Sequence, residues 1–283
     1  MNTRAETLNS SVVDGVPTVA AATSAAAVEW GVISSLWKRD LMHLVRERSR
    51  WSGVVLQPLL FWLIIGSGMG SVFRLKGLEG VDYLSYFFPG ILAMVILFTA
   101  VFATMGVIED RKSGFLQQIL VAPGSHAALV IGKTAGVTSM ALIQVVACLL
   151  VAPFAGVDLL AVNWVLFFAV LVLGCAGLTA LNFVMAWLID STAGYHAIMS
   201  VLLLPLWIVS GAMFPAAGGW TAWVMRFNPM AYMVDGMRHA LDSSASVANA
   251  SASACVAVLA ASTLVFGILA VFTIKRRTQA GRI

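Results

Sequence analysis

Gly132-Lys133-Thr134 is where residue type and spacing come nearest to nucleotide chemistry in this chain. A phosphate loop needs G-x-x-x-x-G-K-[ST] after a strand, so that backbone N–H groups and the lysine surround the phosphates. Its first glycine would fall at position 127, which is Ala127, and an apolar helical run follows. The tripeptide therefore reads as no phosphate site, and Lys133 reads as a snorkelling anchor at the end of an apolar span. His43, His126, His196 and His239 are scattered over loops and span ends, and Asp158, Asp190, Asp235 and Asp242 lie in or beside loops. Catalysis needs a nucleophile beside a base, or a metal set, and proton or ion coupling needs ionisable groups at mid-membrane; neither pattern is present. Cys148, Cys175 and Cys255 are dispersed, without CxxC spacing, and read as small apolar packing residues. No catalytic residue, metal ligand or cofactor of its own is expected.

The composition places the chain in lipid. It is 60% hydrophobic and only 11% charged, against about 25% charged in soluble domains. A net charge of +4 over 283 residues gives no reason to expect nucleic acid. Six stretches are long and apolar enough to cross a bilayer of about 20 helical residues: 53–73, 85–107, 127–154, 161–189, 195–214 and 254–274. Ahead of them, 1–29 reads as a disordered tail without the basic start and apolar core of a cleaved signal. Across 30–51, Trp30, Ile33, Leu36, Trp37, Leu41, Leu44 and Val45 recur near helical spacing, with Lys38, Arg39, Arg46, Arg48 and Arg50 between them. A basic amphipathic helix with aromatic residues lies in the membrane interface. With the N-terminus inside, 13 of the 17 Lys and Arg residues face the cytoplasm and four face out, including those of the basic tail 275–283 among the 13. The positive-inside rule thus favours cytoplasmic N- and C-termini.

Two polar interruptions remain. The cytoplasmic one, 109–123 (EDRKSGFLQQILVAP), begins with charge and continues with Phe115, Leu116, Ile119, Leu120 and Val121, too apolar for a merely solvated loop. A short helix with an apolar face and a charged start suits a groove on a partner protein. The external one, 215–253, is apolar but broken by Asn228-Pro229. It suits short re-entrant helices packed on the fourth to sixth spans, because irregular backbone at membrane depth needs protein to satisfy it. Gly66–Gly70 and Gly132–Gly136 are GxxxG pairs, which serve helix packing within the chain or a contact between subunits. Thirteen Met, with many Phe and Trp, would also make adaptable walls for an amphipathic cargo.

At the first interruption the chain resembles the permease subunits of ABC type-2 exporters, a group with drug, lipid and polysaccharide export members. Their D-R-E-x-G-[TF]-L-x-x-L-L-V-[ST/A]-P loop, followed by G-K, is matched by Asp110-Arg111-Lys112-Ser113-Gly114-Phe115-Leu116, Leu120-Val121-Ala122-Pro123 and Gly132-Lys133. Their LPL…SG…FP…NP…Y-x-VD-x-x-R ending is matched by Leu204-Pro205-Leu206, Ser210-Gly211, Phe214-Pro215, Asn228-Pro229, Tyr232, Val234-Asp235 and Arg238. The resemblance covers about half the chain; Lys112 replaces the family's usual acid, which leaves Glu109 as the acid available for a contact with the ATPase. It implies an all-α integral membrane fold: six transmembrane helices, an N-terminal interfacial helix (30–51, with Trp37, Lys38, Arg46 and Arg48), a cytoplasmic coupling helix and external re-entrant helices. It implies that ATP is bound by a separate ABC ATP-binding subunit docked at Glu109, Asp110, Arg111, Lys112, Gly114, Phe115, Leu116 and Gln117, with Gly114 allowing close approach. A second permease copy, identical or related, a lipid environment and the plasma (inner) membrane of a prokaryote follow from the same resemblance. The rival expectation from the residues alone is an ion-coupled secondary carrier or channel without an ATPase.

Overall fold

The computed structural model describes residues 25–46, 48–70, 82–114, 125–215, 218–241 and 248–279. Nine α-helices lie among them: α1 (Ala25–Arg46), α2 (Arg48–Gly70), α3 (Tyr83–Lys112), α4 (His126–Leu149), α5 (Trp164–Leu188), α6 (Thr192–Trp207), α7 (Gly219–Phe227), α8 (Pro229–Leu241) and α9 (Ala252–Gln279). No strand occurs among the described residues. Five helices are long and apolar enough to cross a membrane: α3, α4, α5, α9, and α6 with the wide turn that extends it to Ala212. Within α2, Gly53–Met69 is apolar but shorter.

α3 is the axis. In its most apolar stretch 72% of the residues are buried, against 17% for α9. It is enclosed by α2, α4, α5, α6 and α8, and Phe87, Phe88, Ile91, Leu92 and Ile96 are wholly covered. α9 packs mainly on α5 and α8 and turns Leu264, Val265, Ile268 and Phe272 outward. An outward face this apolar needs lipid or another protein against it.

Local chemistry sets the ends. Ser125, Asn163 and Ser191 cap α4, α5 and α6 by accepting from the backbone N–H of Ala128, Leu166 and Gly194, each satisfying a donor that lacks an intrahelical partner. Gly156, at φ 72°, ends the 3-10 turn Ala152–Ala155 in the left-handed region. Pro205 lies inside α6, and the following turn, Ile208–Ala212, widens to π geometry with Gly211 at φ 83°.

Several boundaries differ from the sequence expectation. Helical structure starts at Ala25, within the expected tail, because Ala25-Ala26-Ala27 favours helix. The amphipathic element stops at Arg46, and Arg48 already begins α2. α3 runs on to Lys112, so Glu109, Asp110, Arg111 and Lys112 form its last turn rather than a loop; its two basic residues suit the negative end of the helix dipole. α9 likewise carries the first part of the expected basic tail, to Gln279.

Candidate functional site

The end of α3 gathers charged side chains from α1, α4, the turn after α5, and α9. Asp110, on α3, is gripped by Arg39 of α1 through a two-pronged contact, one prong measuring 3.0 Å. Lys133, near the start of α4, donates to Asp40 of α1 at 2.9 Å and stands 3.5 Å from Asp110. Lys133 does not snorkel: it is 5% exposed, because α1 folds over it. That approach uses the second GxxxG pair. A methyl on Gly132 would meet the backbone of Ile33 at 3.1 Å, and one on Gly136 would meet Asp40 at 2.9 Å. The Trp37 indole N–H donates to Ser139 across the same contact at 3.0 Å. Gly66 similarly admits Leu84 of α3, so both glycine pairs include an intrachain contact.

Arg111 points elsewhere. It donates to the carbonyls of Trp187 and Ile189, at 3.3 and 2.7 Å, and pairs with Asp190 at 3.0 Å. Arg277 of α9 reaches the same Asp190 carboxylate at 3.4 Å and the Leu188 carbonyl at 3.2 Å. Asp40, Asp190 and Arg277 were not singled out as site residues from the sequence. Asp40 is the one acid on the otherwise basic stretch of α1 from Lys38 to Arg46, and that isolation was a usable signal. Burial pushes its carboxyl above the ordinary value, while Lys133 pulls the other way.

Of the expected docking residues, Glu109 and Lys112 are exposed, whereas Asp110 is buried and Arg111 half-buried. Gly114 does not serve a close approach to any described residue: nothing lies within 4 Å of where a methyl would stand, and its φ of 75° is what requires glycine. Phe115, Leu116 and Gln117 lie outside the described residues. On α1, Lys38 and Arg46 are exposed; Arg48 is placed at the start of α2 only by its backbone.

At the other end of α3 the expected external residues form a second polar knot. Asp235, expected in or beside a loop, and Arg238 sit one turn apart on α8, 2% and 0% exposed, paired at 3.0 Å. The Arg238 guanidinium donates to the Gly211 carbonyl at 2.6 Å and lies 4.4 Å from the centre of the Tyr86 ring. The Tyr86 hydroxyl donates to the same carbonyl at 2.7 Å. The other oxygen of Asp235 accepts from the backbone N–H of Asn249 and Ala250. Asn228 donates to the Leu206 carbonyl at 2.7 Å and accepts from the Met230 N–H, and Tyr232 donates to the Arg226 carbonyl. Phe214 is exposed, Pro215 and Pro229 half-buried. α7 and α8 pack as two short helices, α8 against α5, α9 and α3. Gly211 and Tyr86 are the parts of this knot that sequence reasoning had not joined.

The described residues form helices and no strand, five of the helices long and apolar enough to cross a membrane, with ion pairs at one end of the central one and braced, broken helices at the other: the architecture of a multi-pass membrane protein. The chain belongs to the ABC-2 type transporter family, whose match spans residues 32–241. It is similar to a ycf38 protein of Cyanophora paradoxa, named as a transport permease, with 29% identity over 72% of this chain and 71% of the relative. The ycf38 proteins of Porphyra purpurea and Pyropia yezoensis, named likewise, are 26% and 25% identical over 73% of this chain and 72% of each relative. The chain is thus a multi-pass permease of the ABC transporter class, a transport subunit, and the family implies partnership with an ABC ATP-binding subunit.

Proposed function

We propose that this chain is the membrane half of an ATP-driven exporter that moves an amphipathic, drug-like or lipid-linked cargo, polysaccharide carriers included, with ATP hydrolysed by a separate docked subunit. The observation that carries the docking site is the end of α3. Its last turn turns Glu109 and Lys112 to solvent, and the helix ends before Gly114; the sequence that follows, Phe115 to Val121, is mostly apolar around Gln117-Gln118. Clustered around it are Arg39, Arg111, Lys133 and Arg277, the concentration of positive charge expected on a cytoplasmic face. On that orientation both termini are cytoplasmic, α2 serves as the sixth span through its short apolar stretch, and α7 and α8 are the outer re-entrant pair. The assembly contains two permease copies, identical or related, and the resemblance supports a prokaryotic inner membrane.

Replacing Phe115 and Leu116 together by Asp is expected to leave insertion intact and to abolish both export and co-purification of the ATP-binding subunit. Undiminished co-purification would overturn the docking assignment.

A further inference from the structure

Asp110 and Arg111 are consecutive on a helix, so their side chains leave α3 about 100° apart. They reach different bodies. Asp110 holds Arg39 of α1 and stands by Lys133 of α4. Arg111 holds the carbonyls of Trp187 and Ile189 and the Asp190 carboxylate, in the turn between α5 and α6 that Arg277 ties to α9. Their side chains are engaged inside the chain, while the flanking Glu109 and Lys112 face solvent.

We infer that Asp110 and Arg111 are a pair of positioning residues that split the motion of the docking segment two ways: Asp110 passes it to α1 and α4, and Arg111 passes it to the α5–α6 turn and α9. They do not contact the ATP-binding subunit, although their sequence context places them in the docking motif. Two-pronged and charge-assisted bonds fix direction as well as distance, and α3 stays helical up to Lys112, so displacement of its last turn reaches both groups at once. The role in transport rests on the docking function proposed for 109–123; the wiring stands on geometry alone.

Hydrogen exchange on the purified full-length permease tests the wiring. Asp110→Asn is expected to speed amide exchange in 30–46 about tenfold and leave 186–196 within about twofold; Arg111→Gln is expected to do the reverse. Should Asp110→Asn not fold, Arg39→Gln, which removes the same contact from the α1 side and leaves Lys133 beside Asp110, is expected to speed exchange in 30–46 and leave 186–196 within about twofold. Loosening of both segments by either variant, or of neither, overturns the inference. In the complex with its ATP-binding subunit, both variants should keep the subunit bound and lose permease-dependent ATP hydrolysis. Loss of the subunit on Asp110→Asn with unchanged exchange makes Asp110 a docking residue, and the inference fails. Segment-specific exchange together with an intact complex in the Phe115→Asp, Leu116→Asp variant keeps the wiring and removes the docking site.

Discussion

At the Gly211 end of the molecule, Arg238 pairs with an acid three residues away and a carbonyl 27 residues away. At the Asp110 end, about 36 Å along α3, the pairs Arg39–Asp110, Asp40–Lys133 and Asp190–Arg277 join residues 71, 93 and 87 positions apart. The first knot braces backbone that has lost its regular partners: a π turn, a left-handed glycine and the break at Asn228. In apolar surroundings such groups must be satisfied by the protein itself. The second knot also satisfies the last carbonyls of α5, at Trp187, Leu188 and Ile189, but its ion pairs join separate helices, so what they fix is relative position. Similar charged side chains thus serve as a splint in one place and as linkage in the other.

The sharpest way to break the comparison is Arg238→Met. It takes one of two donors from the Gly211 carbonyl, leaving the Tyr86 hydroxyl, and leaves Asp235, 2% exposed, without its cation; removing one partner of a buried pair costs about 3–5 kcal/mol. Thermal unfolding in detergent should show that loss, and an unmoved transition would mean the knot is no splint. Lys133→Met should cost somewhat less, about 3 kcal/mol, because Arg39 still serves Asp110. Gly136→Val should cost about 1–3 kcal/mol by levering α1 off α4, whereas Gly68→Ala, with no described atom within 4 Å of the added methyl, should gain about 0.5–1 kcal/mol.

A pH series sharpens the linkage side. Because burial lifts the Asp40 carboxyl above 3.8, its contribution to stability is complete below that pH and is lost as pH rises through the lifted value. Melting temperature should therefore fall as pH climbs above 3.8, and Asp40→Asn should flatten that fall. The smallest effect belongs to Glu109→Gln: stability within about 0.5 kcal/mol of wild type, with the change confined to recovery of the ATP-binding subunit.

Much of this architecture was legible in residue order. Apolar runs located the long helices, Asn228-Pro229 located the joint between α7 and α8, and the glycine spacing at 132 and 136 marked a close helix contact. What escaped depended on distant partners. Lys133 reads as a snorkelling anchor because nothing near it in sequence says that α1 folds back to cover it. Asp110 and Arg111 read as docking residues from their place in the resemblance; what residue order does not give is that both side chains also hold partners within the chain, at Arg39, Lys133 and the turn at Asp190. Asp235 reads as a residue in or beside a loop, yet Gly236 lets Val170 of α5 approach to within 2.7 Å of where a methyl would stand, and that closeness buries it together with Arg238.

The pairing of Asp40 with Lys133 also bears on how the polypeptide is made. The carboxylate leaves the ribosome 93 residues before its lysine. α1 is not among the helices long and apolar enough to cross the bilayer, so it can wait at the surface with water around that charge. When the stretch bearing Lys133 is handed to the lipid, its ammonium can meet a counter-ion already made, and α1 becomes the chaperone of α4.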